Sequence, residues 1–157
     1  MYAEGTKVPV EKSKAEIERL LRKHGATQFT SGWDDEKGIS RMMCRMQDRM
    51  FRFDVLMPDP EAYRLTEGGR ERSDKDAEAA AEKEHQRRWR ARLLIIKAKL
   101  EMIASGESDV ATEFMADLLL PNGTTVRETL LPRIDKAYET GKMPSMSLPA
   151  LPPHKED

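Results

Sequence analysis

Residues 27–57 read TQFTSGWDDEKGISRMMCRMQDRMFRFDVLM, and the two-residue period of this string decides the fold. Thr27, Phe29, Ser31 and Trp33 alternate with Gln28, Thr30 and Gly32. A turn-rich stretch at 34–38 follows. Met42, Cys44 and Met46 then face one way, while Arg41, Met43 and Arg45 face the other. Gln47 and Asp48 make the next turn. The third run sets Phe51, Phe53, Val55 and Met57 against Arg52 and Asp54. Three alternating runs joined by short turn-forming segments predict an antiparallel meander. A helix is expected to cover one face and leave the other accessible.

Working outward, the period changes to that of a helix on both sides. Upstream, Ser13 and Glu16 have the spacing of a capping box, Ile17, Leu20 and Leu21 share one helical face, and Gly25 supplies a left-handed stop. This predicts a helix over 13–24, preceded by an N-terminal arm at 1–10 that carries Gly5 and Pro9. Downstream, Pro58 and Pro60 end the third strand, and the polar stretch 61–76 around Gly68 and Gly69 reads as a flexible loop. Helix formers then run from Ala77 to Ala104 without a breaker. Trp89, Leu93, Ile96, Leu100 and Ile103 form a 4-3-4-3 apolar stripe, and the half before Trp89, which lacks one, is expected to project into solvent or to be only partly ordered. That stripe would also suit pairing across a homodimer.

Residues 110–120 make a short apolar helical or mixed segment, and Pro121-Asn122-Gly123 a turn. Thr125 with Glu128 forms a second capping box, opening a helix through Leu130, Leu131, Ile134 and Tyr138 to a stop at Gly141, with Pro132 inside it. Residues 143–157 read as a disordered proline-rich tail. The expected fold is therefore α+β: a helix, a three-stranded antiparallel meander, a long helix and a C-terminal helical segment, forming one domain over 11–142.

Bulk composition narrows the function classes. The chain has 157 residues, 27 basic and 28 acidic side chains and a formal net charge of -1, so no global field draws it to nucleic acid or membrane, and only local patches can do so. One cysteine, Cys44, excludes an intramolecular disulfide framework and a multi-cysteine zinc site. No apolar run approaches the roughly 18 residues of a membrane span, and residues 1–10 lack a hydrophobic signal core, so a soluble cytoplasmic protein is expected.

Two charged features stand out. Six cations fall within residues 87–99, with Trp89 among them, and Arg87, Arg88 and Arg90 form the dense part. Such a helix suits a phosphate backbone, where each cation displaces a condensed counterion. The competing reading is a solvated face paired with Glu78, Glu82 and Glu84 one or two turns earlier. On the hairpin, Arg41, Arg45, Arg49 and Arg52 suit forked hydrogen bonds to phosphates or to a partner's carboxylates, unless Asp48 and Asp54 neutralise them. Met42, Met43, Met46, Met50 and Met57 crowd the same hairpin, where thioethers serve either an adaptable surface or an irregular core. His24, His85 and His154 have no metal-ligand spacing, Cys44 has no histidine partner in its pattern, and Gly68-Gly69 lacks a phosphate-loop context. The expectation is a protein that is not an enzyme and takes no metal or other cofactor.

The opening string Tyr2-Ala3-Glu4-Gly5-Thr6-Lys7-Val8-Pro9-Val10, with Ser13, Ala15-Glu16-Ile17 and Gly25-Ala26, resembles a group of small phage and prophage proteins without an assigned activity. The segment from Trp89 to Leu100 and the turn Leu120-Pro121-Asn122-Gly123-Thr124 look like that group as well. The resemblance implies a mobile element acting inside a bacterial host cell, and transfers no binding residue. The order helix, three strands, helix also matches the layout of double-stranded-RNA-binding domains, but their lysine cluster is replaced here by acid-rich residues 74–84. The leading expectation is a non-enzymatic accessory protein of DNA metabolism (recombination or replication), gripping nucleic acid through Arg41, Arg45, Arg52, Arg87, Arg88 and Arg90. The alternative is an inhibitor of a host defence system that binds a host protein with an acidic surface.

Overall fold

The structure is a computed structural model that describes residues 8–147. The expected arm falls mostly on residues 1–7, and most of the expected tail on 148–157, outside the described residues. Helix α1 (Val10–Lys23) leads into strands β1 (Gln28–Asp34), β2 (Ile39–Met46) and β3 (Arg49–Leu56), then α2 (Asp74–Ala104), a short α3 (Val110–Glu113) and α4 (Val126–Thr140). The strands form one antiparallel sheet in the order β1-β2-β3. This is the α+β layout that the string at 27–57 predicts.

The meander follows from its turns. Gln47 and Asp48 both hold positive φ, at 49° and 58°, between the paired residues Met46 and Arg49. That is the two-residue connection whose twist matches the strands it joins. The resulting register puts Phe29, Cys44 and Phe51 in one row and Ser31, Met42 and Phe53 in the next. Met42, Cys44, Met46, Phe51 and Phe53 are buried on this face, against Ile17, Leu21, Trp89, Leu93, Ile96 and Leu100. Most of the hairpin methionine on this face is therefore core. Phe114 closes the core edge-on to both Phe51 and Phe53, at 6.0 and 5.8 Å between centroids. Burial pushes the Cys44 thiol up to about 12, which suits a small hydrophobe and not a nucleophile.

Five local expectations are corrected. Helix α1 begins at Val10, three residues before the expected cap. Pro9 stands at the N-cap with no side-chain cap bond, and Ser13 lies buried inside the helix. Val10 is itself a core residue, so burial extends the helix past the local capping signature. The C-terminus does follow expectation: Ala26 N–H reaches Leu21 O and Gly25 N–H reaches Arg22 O, with Gly25 at φ +102°.

The stretch expected as a loop is folded. A 3₁₀ turn (Pro60–Tyr63) is capped by Asp59, Arg64 clasps both Glu61 and Asp74, and Leu65 bridges to Glu71. Against this unit packs the first half of α2, which was expected in solvent; Ala77 and Ala81 are buried there. Strand β3 stops at Leu56, leaving Met57 outside. Finally, the α2 stripe is internal, with Trp89, Leu93, Ile96 and Leu100 all within the core, so it is not a surface for pairing two copies.

Trp89 is held by more than packing. Its Nε1–H donates to His85 Nε2 at 3.1 Å, and Lys14 Nζ stands 5.0 Å over the ring. Accepting that bond requires a neutral imidazole at His85. Burial pulls the His85 pKa below its ordinary 6.5, with Glu82 opposing. Between the folded value and 6.5 the unfolded chain therefore binds more protons, and stability falls as the pH drops through that window. Urea midpoints are expected to be lower at pH 5 than at pH 7.5. His85→Gln, which keeps an acceptor but does not titrate, should flatten that part of the profile. An unchanged slope in the variant would remove His85 as its source.

Candidate functional site

The six arginines expected to grip nucleic acid or an acidic partner all meet partners within the chain. On the sheet face away from the core, Arg41 lies opposite Asp54 and grips it with two bonds, Nε to Oδ1 at 2.7 Å and Nη2 to Oδ2 at 2.9 Å. Those bonds raise the Arg41 pKa. Arg45 reaches Asp48 at 3.3 Å in the exposed turn. Arg52 is buried, 8% exposed. It bonds Gly123 O at 3.0 Å and the Glu128 carboxylate, while its Nε stands 3.2 Å from Asp54 Oδ2 but off line for a hydrogen bond.

Arg52 thus ties β3 to the turn before α4 and to the α4 capping box, in which Thr125 and Glu128 satisfy each other. Burial pushes the Glu128 carboxyl up, and the Thr125 N–H and Arg52 outweigh it, leaving it below its ordinary value. The sheet face expected to be open is therefore partly covered at this point.

On α2, Arg87 and Arg88 both clasp Glu84, at 2.7 and 2.9 Å. The Arg87 bond foremost, then Arg88 and their charges, hold Glu84 at about 2 against a desolvation cost. Arg90 reaches across to Glu16 of α1 at 3.4 Å. Arg88 and Arg92 do something further. Arg88 Nη1 donates to Leu56 O at 2.8 Å, and Arg92 Nη2 donates to Asp54 O at 3.2 Å.

The geometry is a match of periods. Residues i and i+4 of a helix are about 6 Å apart along its axis, and alternate residues of a strand about 6.6 Å. Two arginines one turn apart therefore reach successive outward carbonyls of β3. Leu119 N–H takes the Met50 carbonyl at 2.8 Å, so three carbonyls along the outer edge of the strand, those of Met50, Asp54 and Leu56, have donors. Sequence reading placed Arg92 in the basic segment but missed this role; the i, i+4 pair beside a predicted edge strand is the signal for it.

Between this edge and α2 lies a cleft of about 360 Å³, lined by Asp54, Val55, Leu56, Arg87, Arg88, Ala91, Arg92 and Ile95. Leu56 is 63% and Ile95 51% exposed, so the cleft offers two apolar side chains rimmed by guanidinium groups. The structure brings Arg87 and Arg88 together here on Glu84, while Arg41 and Arg52 meet separately on the Asp54 carboxylate. Arg90 and Arg45 lie elsewhere.

Among the described residues, no group of three or more histidine, cysteine, aspartate or glutamate side chains is placed to hold a metal ion, and no helix is long and apolar enough to cross a membrane. His24 caps α1 through Leu20 O, and Asp117, buried and with its pKa raised by desolvation, faces the charges of Arg92, Lys99 and Arg127. No family model, curated protein or solved structure matches the chain.

Proposed function

We propose that the chain is a non-catalytic binding protein of a phage or prophage that recognises a host protein, the contact centred on the cleft between β3 and α2. The observation that supports this is the state of the arginines. Each is already matched to a carboxylate or carbonyl of the chain, so few are left to neutralise phosphates, whereas Leu56 and Ile95 stand exposed between them. Apolar anchors ringed by arginine have the composition of a protein-binding patch. An apolar side chain of the partner would fill the cleft between Leu56 and Ile95. The phage setting rests on the resemblance at residues 2–10, and inhibition of a host defence component fits a binder without chemistry of its own.

Nucleic-acid binding in recombination or replication is the second reading. It is favoured by Arg41 and Arg45, whose side chains are 37% and 42% exposed on one sheet face. One pair of measurements separates the two. Affinity capture from host lysate should recover one partner with the native chain and lose it with Ile95→Asp. Fluorescence anisotropy at low salt should show no binding to single- or double-stranded DNA. A DNA affinity that falls steeply with salt and vanishes in a folded Arg87/Arg88/Arg90→Ala variant would replace the first reading with the second.

A further inference from the structure

The two edges of the sheet are treated differently. The outer edge of β3 is capped by Arg88, Arg92 and Leu119. Among the described residues, no hydrogen bond reaches the outer edge of β1, where every second N–H and C=O group points away from β2. Nor does β1 carry the proline, lysine or arginine that commonly protects an edge. It carries Trp33 instead, 72% exposed.

We infer that the chain forms a two-fold homodimer by antiparallel pairing of β1 with β1 of a second copy, giving a continuous six-stranded sheet. Three observations choose a second copy as the occupant. The first is register. Turned about Ser31, the strand Gln28–Asp34 sets Phe29 opposite Trp33 twice and Thr30 opposite Gly32 twice. Phe29 and Trp33 share one face of the sheet, so each pairing is an aromatic cross-strand contact that also covers the exposed indole. The second is space: nothing lies within 4 Å of the position a Cβ would take at Gly32, leaving room for Thr30 of the other copy.

The third is charge. The same register carries Asp34, Asp35 and Glu36 of one copy to the level of residues 26–28 of the other. There the last turn of α1 ends in Arg22 and Lys23. A groove of about 220 Å³ between α1 and β1, lined by Glu18, Arg22, Thr27 and Phe29, opens at that point. The two-fold axis repeats the acidic-on-basic contact at both ends of the strand pair, and no like-charged residues of β1 are brought opposite each other.

Sedimentation velocity on the full chain, from low to high micromolar concentration, tests this. The mass should rise from 18.0 kDa toward twice that value, with tryptophan emission shifting blue in step as Trp33 is covered. Asp35→Lys/Glu36→Lys should raise the dimer dissociation constant about tenfold or more, and adding Arg22→Glu/Lys23→Glu should restore it. Ser31→Pro, at a position where an edge tolerates proline, should leave a monomer of unchanged far-ultraviolet circular dichroism. A single 18.0 kDa species at every concentration overturns the inference. So does a dimer whose affinity ignores both the charge reversal and its compensating swap.

Discussion

Trp89→Ala is expected to destabilise the chain by about 3–5 kcal/mol, the cost of removing a large aromatic side chain from a packed core. Trp89 is fully buried and lies where α1, α2 and the sheet meet. Truncation opens a cavity that three rigid elements cannot close together. It also strips His85 of its donor and Lys14 of its ring. Trp89→Phe fills most of the space but still loses the indole N–H, and should cost about 1–2 kcal/mol. Equilibrium urea unfolding at pH 7.5 measures both. A loss below about 1 kcal/mol in Trp89→Ala would mean that the indole is not part of the core.

The second large effect is expected at Arg52. Arg52→Met keeps the length and apolar stem of the side chain but removes the cation that Asp54 and Glu128 share, and leaves Gly123 O without its donor. Breaking a fully buried pair in this way costs about 3–5 kcal/mol. Glu128 retains 46% of its side-chain exposure, so water compensates part of the loss and about 2–3 kcal/mol is expected. The damage should be local as well as global. Amide exchange in the first turn of α4 should accelerate more than exchange in β2, because the α4 capping box leans on Arg52 while the central strand does not. Uniform acceleration throughout would argue against a latch between β3 and α4.

What the sequence made legible follows the range over which each signal acts. Alternation at 27–57 specifies strand, face and register together, because a one-residue slip would turn Met42, Cys44 and Phe53 out of the core. The Thr125–Glu128 capping box and the stop at Gly141 act within four residues and are found where expected. Ser13 and Glu16 show the limit of the same logic. Their spacing also occurs one turn inside a helix, and only the burial of Val10 tells the two cases apart.

Ala77 and Ala81 read as filler on a solvent-facing helix because small side chains carry no apolar signal, yet smallness is what lets the Pro60–Tyr63 turn approach α2. Among the arginines, the Glu84 clasp is readable, since Arg87 and Arg88 stand three and four residues beyond it. The Arg52–Glu128 contact joins residues 76 apart in sequence, and no local pattern announces it. Arg88 and Arg92 belong between these cases: their spacing is visible, but their targets are backbone carbonyls, which leave no mark in a sequence.

The arginines serve the fold first, and the proposed recognition uses what stands between them. The most direct test of that ordering is a double-mutant cycle in urea on Arg52→Met and Glu128→Gln. The two single losses should exceed the double loss by about 1–3 kcal/mol, the coupling expected of a contacting charged pair. Additivity within about 0.3 kcal/mol would contradict the account, and would leave Arg52 a cation that the chain does not need for itself.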